Sequence, residues 1–332
     1  MTSLRSIRLW LSVAAALSLF APTASAEVVI DWVTVGDPGN ACEIQSQGCF
    51  GAVAEPYRIS KFEVTNAQYA EFLNAVAVTD TNALYSTNMG SGFGGITRSG
   101  SSGSYSYSAI APREDMPVNH VSFYDSLSFA NWLHNGQPTG AQDSTTTEGG
   151  AYDMSLGSSV VRNAGATVFL TSDDEWYKSA YYKGGGTSAG YWDYPAGSDT
   201  QTTCTVPGAT SNTANCDVVA GDLTDGGSYT GSPSPSGSFD QGGNVAEWME
   251  AIIAGGSLRA VRGGGFGNSA STLAASIRIG QNPVSEFLDV GFRVASLVPK
   301  SIPGLSPPGI AILLILLGAT AYLRLKASPS SA

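Results

Sequence analysis

Asp240-Gln241-Gly242-Gly243-Asn244-Val245-Ala246-Glu247 places two carboxylates, an Asn amide and glycine-turn carbonyls within eight residues. A hard dication such as calcium takes six to eight oxygens of these kinds. The spacing is not that of an EF-hand, and Asp and Gly could equally be making turns. Other chemistries have less to work with. His120 and His134 are the only histidines, so a facial triad cannot be assembled from them. His120 stands beside a helix cap, and His134 can face the C-terminal end of a helix dipole. Gly186-Thr187-Ser188-Ala189-Gly190 matches the bare Gly-x-Ser-x-Gly pattern, but it follows a stretch that reads as helix rather than strand, so a nucleophile elbow is not expected. Gly263 to Gly267 is glycine-rich, but no helix with phosphate-loop spacing follows it. A tight turn is the expected use.

Such groups must be positioned, and the chain announces few elements. Val28–Val35 and Tyr57–Val64 alternate enough to be strands. Thr65-x-x-Gln68 is a capping box that opens a helix presenting Tyr69, Phe72, Leu73 and Val76 on one face. Ser122 caps a second helix to about His134, with Asp125 in its first turn. Ser172-x-x-Glu175 is another capping box, opening a helix from Asp173 to about Tyr182 ahead of Gly184-Gly185-Gly186. Polar stretches at 84–112, 136–160 and 197–238 need disulfides or bound metal to hold them. One domain over 27–299 accounts for the mature length.

The ends imply export. Residues 1–26 read as a signal peptide, with Arg5 and Arg8, an apolar core from Leu9 to Ala21, and a small-residue end at Ala24-Ser25-Ala26. Residues 300–332 hold a Pro-rich stretch, the apolar run Gly309–Leu323 and the basic Arg324 and Lys326. At about 1.5 Å per residue that run falls short of the roughly 30 Å hydrocarbon core. The tail resembles those recognised by exosortase-type sorting enzymes, with a plain membrane anchor as the alternative. All 27 acidic groups lie between these ends, so the mature domain is more acidic than the chain's net −11. That charge repels nucleic acid and anionic lipid; it suits cation binding, or simply solubility. In an exported chain four cysteines imply two disulfides. The favoured pairings are Cys42 with Cys49 and Cys204 with Cys216, each stapling a polar loop. Zinc is the competing use, and it lacks closely spaced ligands.

Six segments occur in a telling order: Phe62-Glu63-Val64-Thr65-Asn66-Ala67-Gln68-Tyr69, Met116-Pro117-Val118-Asn119-His120-Val121-Ser122, Phe169-Leu170-Thr171-Ser172-Asp173-Asp174-Glu175-Trp176, Gly242 to Trp248, Arg262 to Phe266, and Gly291 to Ala295. Together they resemble the formylglycine-generating enzyme (sulfatase-modifying factor) family over roughly residues 28–295. The resemblance implies an irregular α+β fold of the C-type-lectin type. It implies calcium at Asp240 and Glu247 through side chains and at Gly243 and Val245 through carbonyls. A second calcium site would map onto Asn215, its neighbour Cys216, Asp225 and Tyr229. The founding enzymes oxidise thiols at copper held by two cysteines. The first position maps to Asn268 and the second falls within Ala270–Leu273, where no cysteine stands. Copper chemistry is therefore not expected. Iron-dependent relatives use a histidine-rich N-terminal domain, which the two histidines of this sequence are not expected to supply.

Arg262 and Arg293 are expected to pair with carboxylates. Arg278, Asn268, Ser269 and Asn282 mark the expected place of a remodelled ligand groove. Trp176, Trp192, Tyr194 and Trp248 are expected as packing aromatics. The function implied is a calcium-stabilised surface module that binds peptide or glycan. A rival is a metal-dependent oxidoreductase tailoring a peptide or small molecule, and a third class is a structural surface protein.

Overall fold

The computed structural model describes residues 27–299; the expected signal peptide and sorting tail lie outside the described residues. Three helices and many short strands make a mixed α+β domain. Helix α1, Asn66–Val76, and helix α2, Phe123–His134, supply the main core. Tyr69, Phe72 and Phe129 meet Trp132 and Phe292 there, with ring centroids 5.2 to 6.4 Å apart. The apolar stripe read from Tyr69, Phe72, Leu73 and Val76 is buried as its spacing requires.

Each helix starts on a reciprocal capping box. Thr65 and Gln68 open α1, and Ser172 and Glu175 open helix α3, Asp173–Tyr181. Asp125 does more for α2 than favour its dipole: it accepts the Ser122 amide at 2.7 Å and completes a third box. Helix α3 stops ahead of Gly184, Gly185 and Gly186, whose φ values of 71°, 88° and 133° exclude further right-handed helix.

Two four-stranded sheets flank the helices. In the first, Tyr57–Ser60 lies between Trp32–Val35 and Val294–Leu297, and Val168–Leu170 pairs on the far side of the latter. The beginning and end of the domain are thus zipped together. In the second, the order is Ile279–Gln281, Leu258–Arg262, Ala246–Ile253, Val290–Gly291, the last pair running parallel.

Both strands expected near the start are shorter than their alternation predicts. The Val28 backbone is bound by the Gln137 side chain and the Val29 carbonyl by Gln68, so ladder pairing begins only at Trp32. Val64 leaves the first sheet to bond Phe292 and Val118. Cys42–Cys49 and Cys204–Cys216 form as expected, with Cα separations of 5.5 and 5.0 Å. The 136–160 loop is held by amide side chains: Asn131 bonds Thr147 and Tyr152, and Asn135 bonds Thr146 and Gly149. Among the described residues, no helix is long and apolar enough to cross a membrane.

Candidate functional site

The Asp240–Glu247 loop enters the strand Ala246–Ile253 through an unusual backbone. Asp240, Gly243 and Asn244 have φ values of 56°, 86° and 60°. A Cβ on Gly243 would lie 2.3 Å from the Asn215 carbonyl, so only glycine permits this approach. The Asn215 carbonyl in turn accepts the Asn244 amide, and the Asn244 carbonyl accepts from Phe266. Asn244 Oδ1 takes the Thr224 amide at 3.0 Å and Asn215 Nδ2 at 3.2 Å. Three distant segments are knotted here by backbone and amide groups.

The two expected calcium sites behave differently. Glu247 turns inward, fully buried, and its carboxylate receives Arg293 Nε at 2.6 Å, Arg293 Nη2 at 2.7 Å and Trp176 Nε1 at 2.7 Å. A cation already neutralises that group, so the first donor set fits calcium poorly. Asp240 is buried nearby, accepts the Gly227 amide, and is pushed up to about 6 by burial. Asn215 fits a cation better: its Oδ1 is buried and has no hydrogen-bond partner. On the loop that follows, Asp222 is held by Arg113 at 2.7 and 2.9 Å, while Asp225 is exposed. Cys216 and Tyr229 are both buried, and the Tyr229 hydroxyl donates to the Thr205 carbonyl. Among the described residues, no three His, Cys, Asp or Glu side chains converge as a metal cluster. Calcium here would need amide and carbonyl oxygens.

The EVTN-like segment hides a group that the sequence reading passed over. Glu63 is buried, and neither carboxylate oxygen has a hydrogen-bond partner. Burial raises its pKa well above the carboxylate range; Asp240 adds to this and Arg293 opposes it. Its only signal in the sequence is position, between apolar Phe62 and Val64 at the end of a strand.

Around the missing cysteines the structure builds a turn. Asn268 Oδ1 accepts the Gly265 amide at 2.8 Å, and its carbonyl accepts from Asp217 at 2.7 Å. Ser269 is exposed and touches Ser271. Asp289 leans on the same turn, since a Cβ on Gly265 would lie 2.7 Å from Asp289 Cβ. Burial raises the Asp289 pKa while nearby His120 opposes the rise. His120, with φ 54°, is half-buried, and burial lowers its pKa.

Arg278 is drawn elsewhere: its Nε lies 2.5 Å from Asp173 Oδ2, and Arg262 Nε donates to Oδ1 at 2.7 Å. Asn282 is exposed and accepts the Val284 amide within its own turn. The four groove residues thus split into the Asn268–Ser269 turn, the Asp173 ion cluster and a separate surface turn. His134 Nδ1 accepts the Thr167 amide at 3.1 Å, which places the ring proton on Nε2.

Residues 50–298 match the model of the sulfatase-modifying factor enzyme 1-like domain. The chain belongs to this family. Three solved structures resemble this sulfatase-modifying factor domain. CarF shares 21% identity, with a TM-score of 0.51, over 81% of this chain and 99% of that one. Treponema denticola variable protein 1 shares 18%, with a TM-score of 0.51, over 81% and 95%. PvdO from Pseudomonas aeruginosa shares 20%, with a TM-score of 0.45, over 81% and 92%. At these identities the first two speak for the fold alone. Among curated proteins, no sequence matches the chain.

The sulfatase-modifying factor domain retains its scaffold through buried ion pairs that the sequence reading anticipated in Arg262 and Arg293. A further pairing residue, the part-buried Arg162, was not anticipated. It binds Glu175 and Glu250 at 2.7 to 2.9 Å and covers the Phe169 ring. Trp176 and Trp248 are fully buried packing residues, whereas Trp192 and Tyr194 are half-buried in loops. All four cysteines of the domain are spent in disulfides, leaving no thiol.

Proposed function

We propose that this sulfatase-modifying factor domain is an exported, calcium-stabilised binding module for a peptide or glycan. The observation that carries the reading is chemical. A thiol-oxidising copper site needs thiolates, and the position of the first cysteine is an asparagine that holds its own turn through the Gly265 amide. Asn215 Oδ1, the Cys216 carbonyl and Asp225 would hold the calcium. When bound, the ion would supply a charge partner that pins the 215–225 loop to the Asn244 turn. Two disulfides suit an oxidising compartment. Export through residues 1–26, and sorting or anchoring through residues 300–332, belong to the same proposal.

An oxidoreductase acting on a peptide or small molecule is the rival, favoured by His120 and Asp289 beside the altered turn. Metal analysis of the purified full chain separates the two. Calcium, with a melting temperature that EDTA lowers and calcium restores, is the expected result. Stoichiometric copper or iron would overturn the binding-module reading, and an EDTA-insensitive melting temperature would remove the calcium.

A further inference from the structure

Lys178 is 1% exposed, a burial that lysine rarely tolerates without an ion-pair partner. It stands in the last turn of α3 and donates from Nζ to the Asp37 carbonyl at 2.8 Å. An ammonium has three donors, and this bond uses one. The Tyr182 ring lies 5.5 Å from Nζ. Among the described residues, no carboxylate forms an ion pair with it. The Asp37 carboxylate instead accepts the Gly185 and Gly186 amides at 2.9 and 3.2 Å. Burial lowers the Lys178 pKa, with Asp37 opposing.

This group lines a cavity of about 140 Å³ walled by Thr34, Asp37, Tyr182, Gly184 and Ser236. At roughly 30 Å³ per water the space is four or five waters large, the size of a small organic acid. Thr34 and Ser236 line the wall, the Ser236 hydroxyl bonded to those of Ser179 and Ser234, and Gly184 and Pro235 are exposed around it. A buried cation that lines a cavity of this size is complementary to an anion with two acceptor oxygens.

We propose that the Lys178 cavity is a binding subsite for a small carboxylate, which serves as the counter-ion that the described residues do not provide. The carboxylate can belong to a free acid or to the C-terminus of a peptide. A carboxylate there would compete with the bond to Asp37 or share the ammonium with it, and the Gly184–Gly186 turn would sense it through Asp37.

The test uses the full chain with isotope-labelled lysine, following the Lys178 side-chain resonance by NMR. Acetate is titrated to about 100 mM, enough to saturate a site of millimolar Kd. N-acetylglycine and its amide form the second arm. The expected result is a saturable shift of Lys178 with acetate, accompanied by a rise in its pKa. A matching response to N-acetylglycine but not its amide assigns the site to peptide C-termini as well; response to acetate alone restricts it to free acids. Lys178→Met should weaken binding by at least about tenfold, and Lys178→Arg should keep part of it. Lys183→Met should leave it unchanged. If Lys178→Met does not fold, the wild-type titration still decides. A non-saturating Lys178 response, or an equal response to acetamide, overturns the subsite, because a lysine that only ties α3 to Asp37 has no reason to distinguish a carboxylate from its amide.

Discussion

Asp125 shows how one side chain can couple a helix start to pH. It completes the capping box of α2 and is buried, and burial pushes its pKa from 3.8 to about 7 despite hydrogen bonds from Ser122. The folded protein therefore holds this proton more tightly than the unfolded chain does. The resulting stability is fully present below about pH 4 and is lost as pH rises through about 7. Asp125→Asn keeps an acceptor for the Ser122 amide but cannot ionise. Urea unfolding from pH 4 to 8 should show wild type losing stability relative to this variant, by on the order of a few kcal/mol. Parallel profiles would sink the assignment. The pattern Ser122-x-x-Asp125 was legible, but the burial that shifts the titration was not, because it depends on residues packed from other elements. Glu247 teaches the same lesson: its place beside Asp240 implied a metal ligand, and its side chain turned instead to Arg293.

At the scale of elements, helices were more legible than strands. A capping box and an apolar stripe are local, and all three helix starts fall where the sequence placed them. Strand ends depend on which distant backbone is available, which is why pairing starts at Trp32 and Val64 leaves the sheet. Two substitutions separate local from long-range determinants. Ser172→Ala removes one cap of α3 and should cost about 1 kcal/mol. Gly243→Ala should cost more, about 2 kcal/mol or above, because φ is 86° and the new methyl meets the Asn215 carbonyl. Chemical denaturation of both variants tests the order. A smaller loss for Gly243→Ala would show that the turn can relax, and that the knot between Asn215 and Asn244 is loose.

Over the whole molecule, long polar loops are held by few covalent and many amide contacts. Cys204–Cys216 closes a segment with a sequence separation of 12, and that segment ends beside Asn215. Replacing both cysteines by serine should lower stability by about 3 kcal/mol, since the unfolded chain regains loop freedom. Limited proteolysis should then cut first within 197–238. Unchanged urea stability would show that Asn212, Asn215 and their neighbours hold the loop without the disulfide.

By itself the sequence determined the family scaffold, the three helix starts and the absence of thiols at the altered turn. These are local patterns, or counts, that no packing can change. Only the tertiary structure decided what the charged groups do. It gave Glu247 to Arg293, drew Arg278 to Asp173, left Asn215 Oδ1 and the Glu63 carboxylate without hydrogen-bond partners, and buried Lys178 beside a cavity. Charge pairing is settled by distance and desolvation, and in this fold the deciding neighbours lie tens of residues away along the chain.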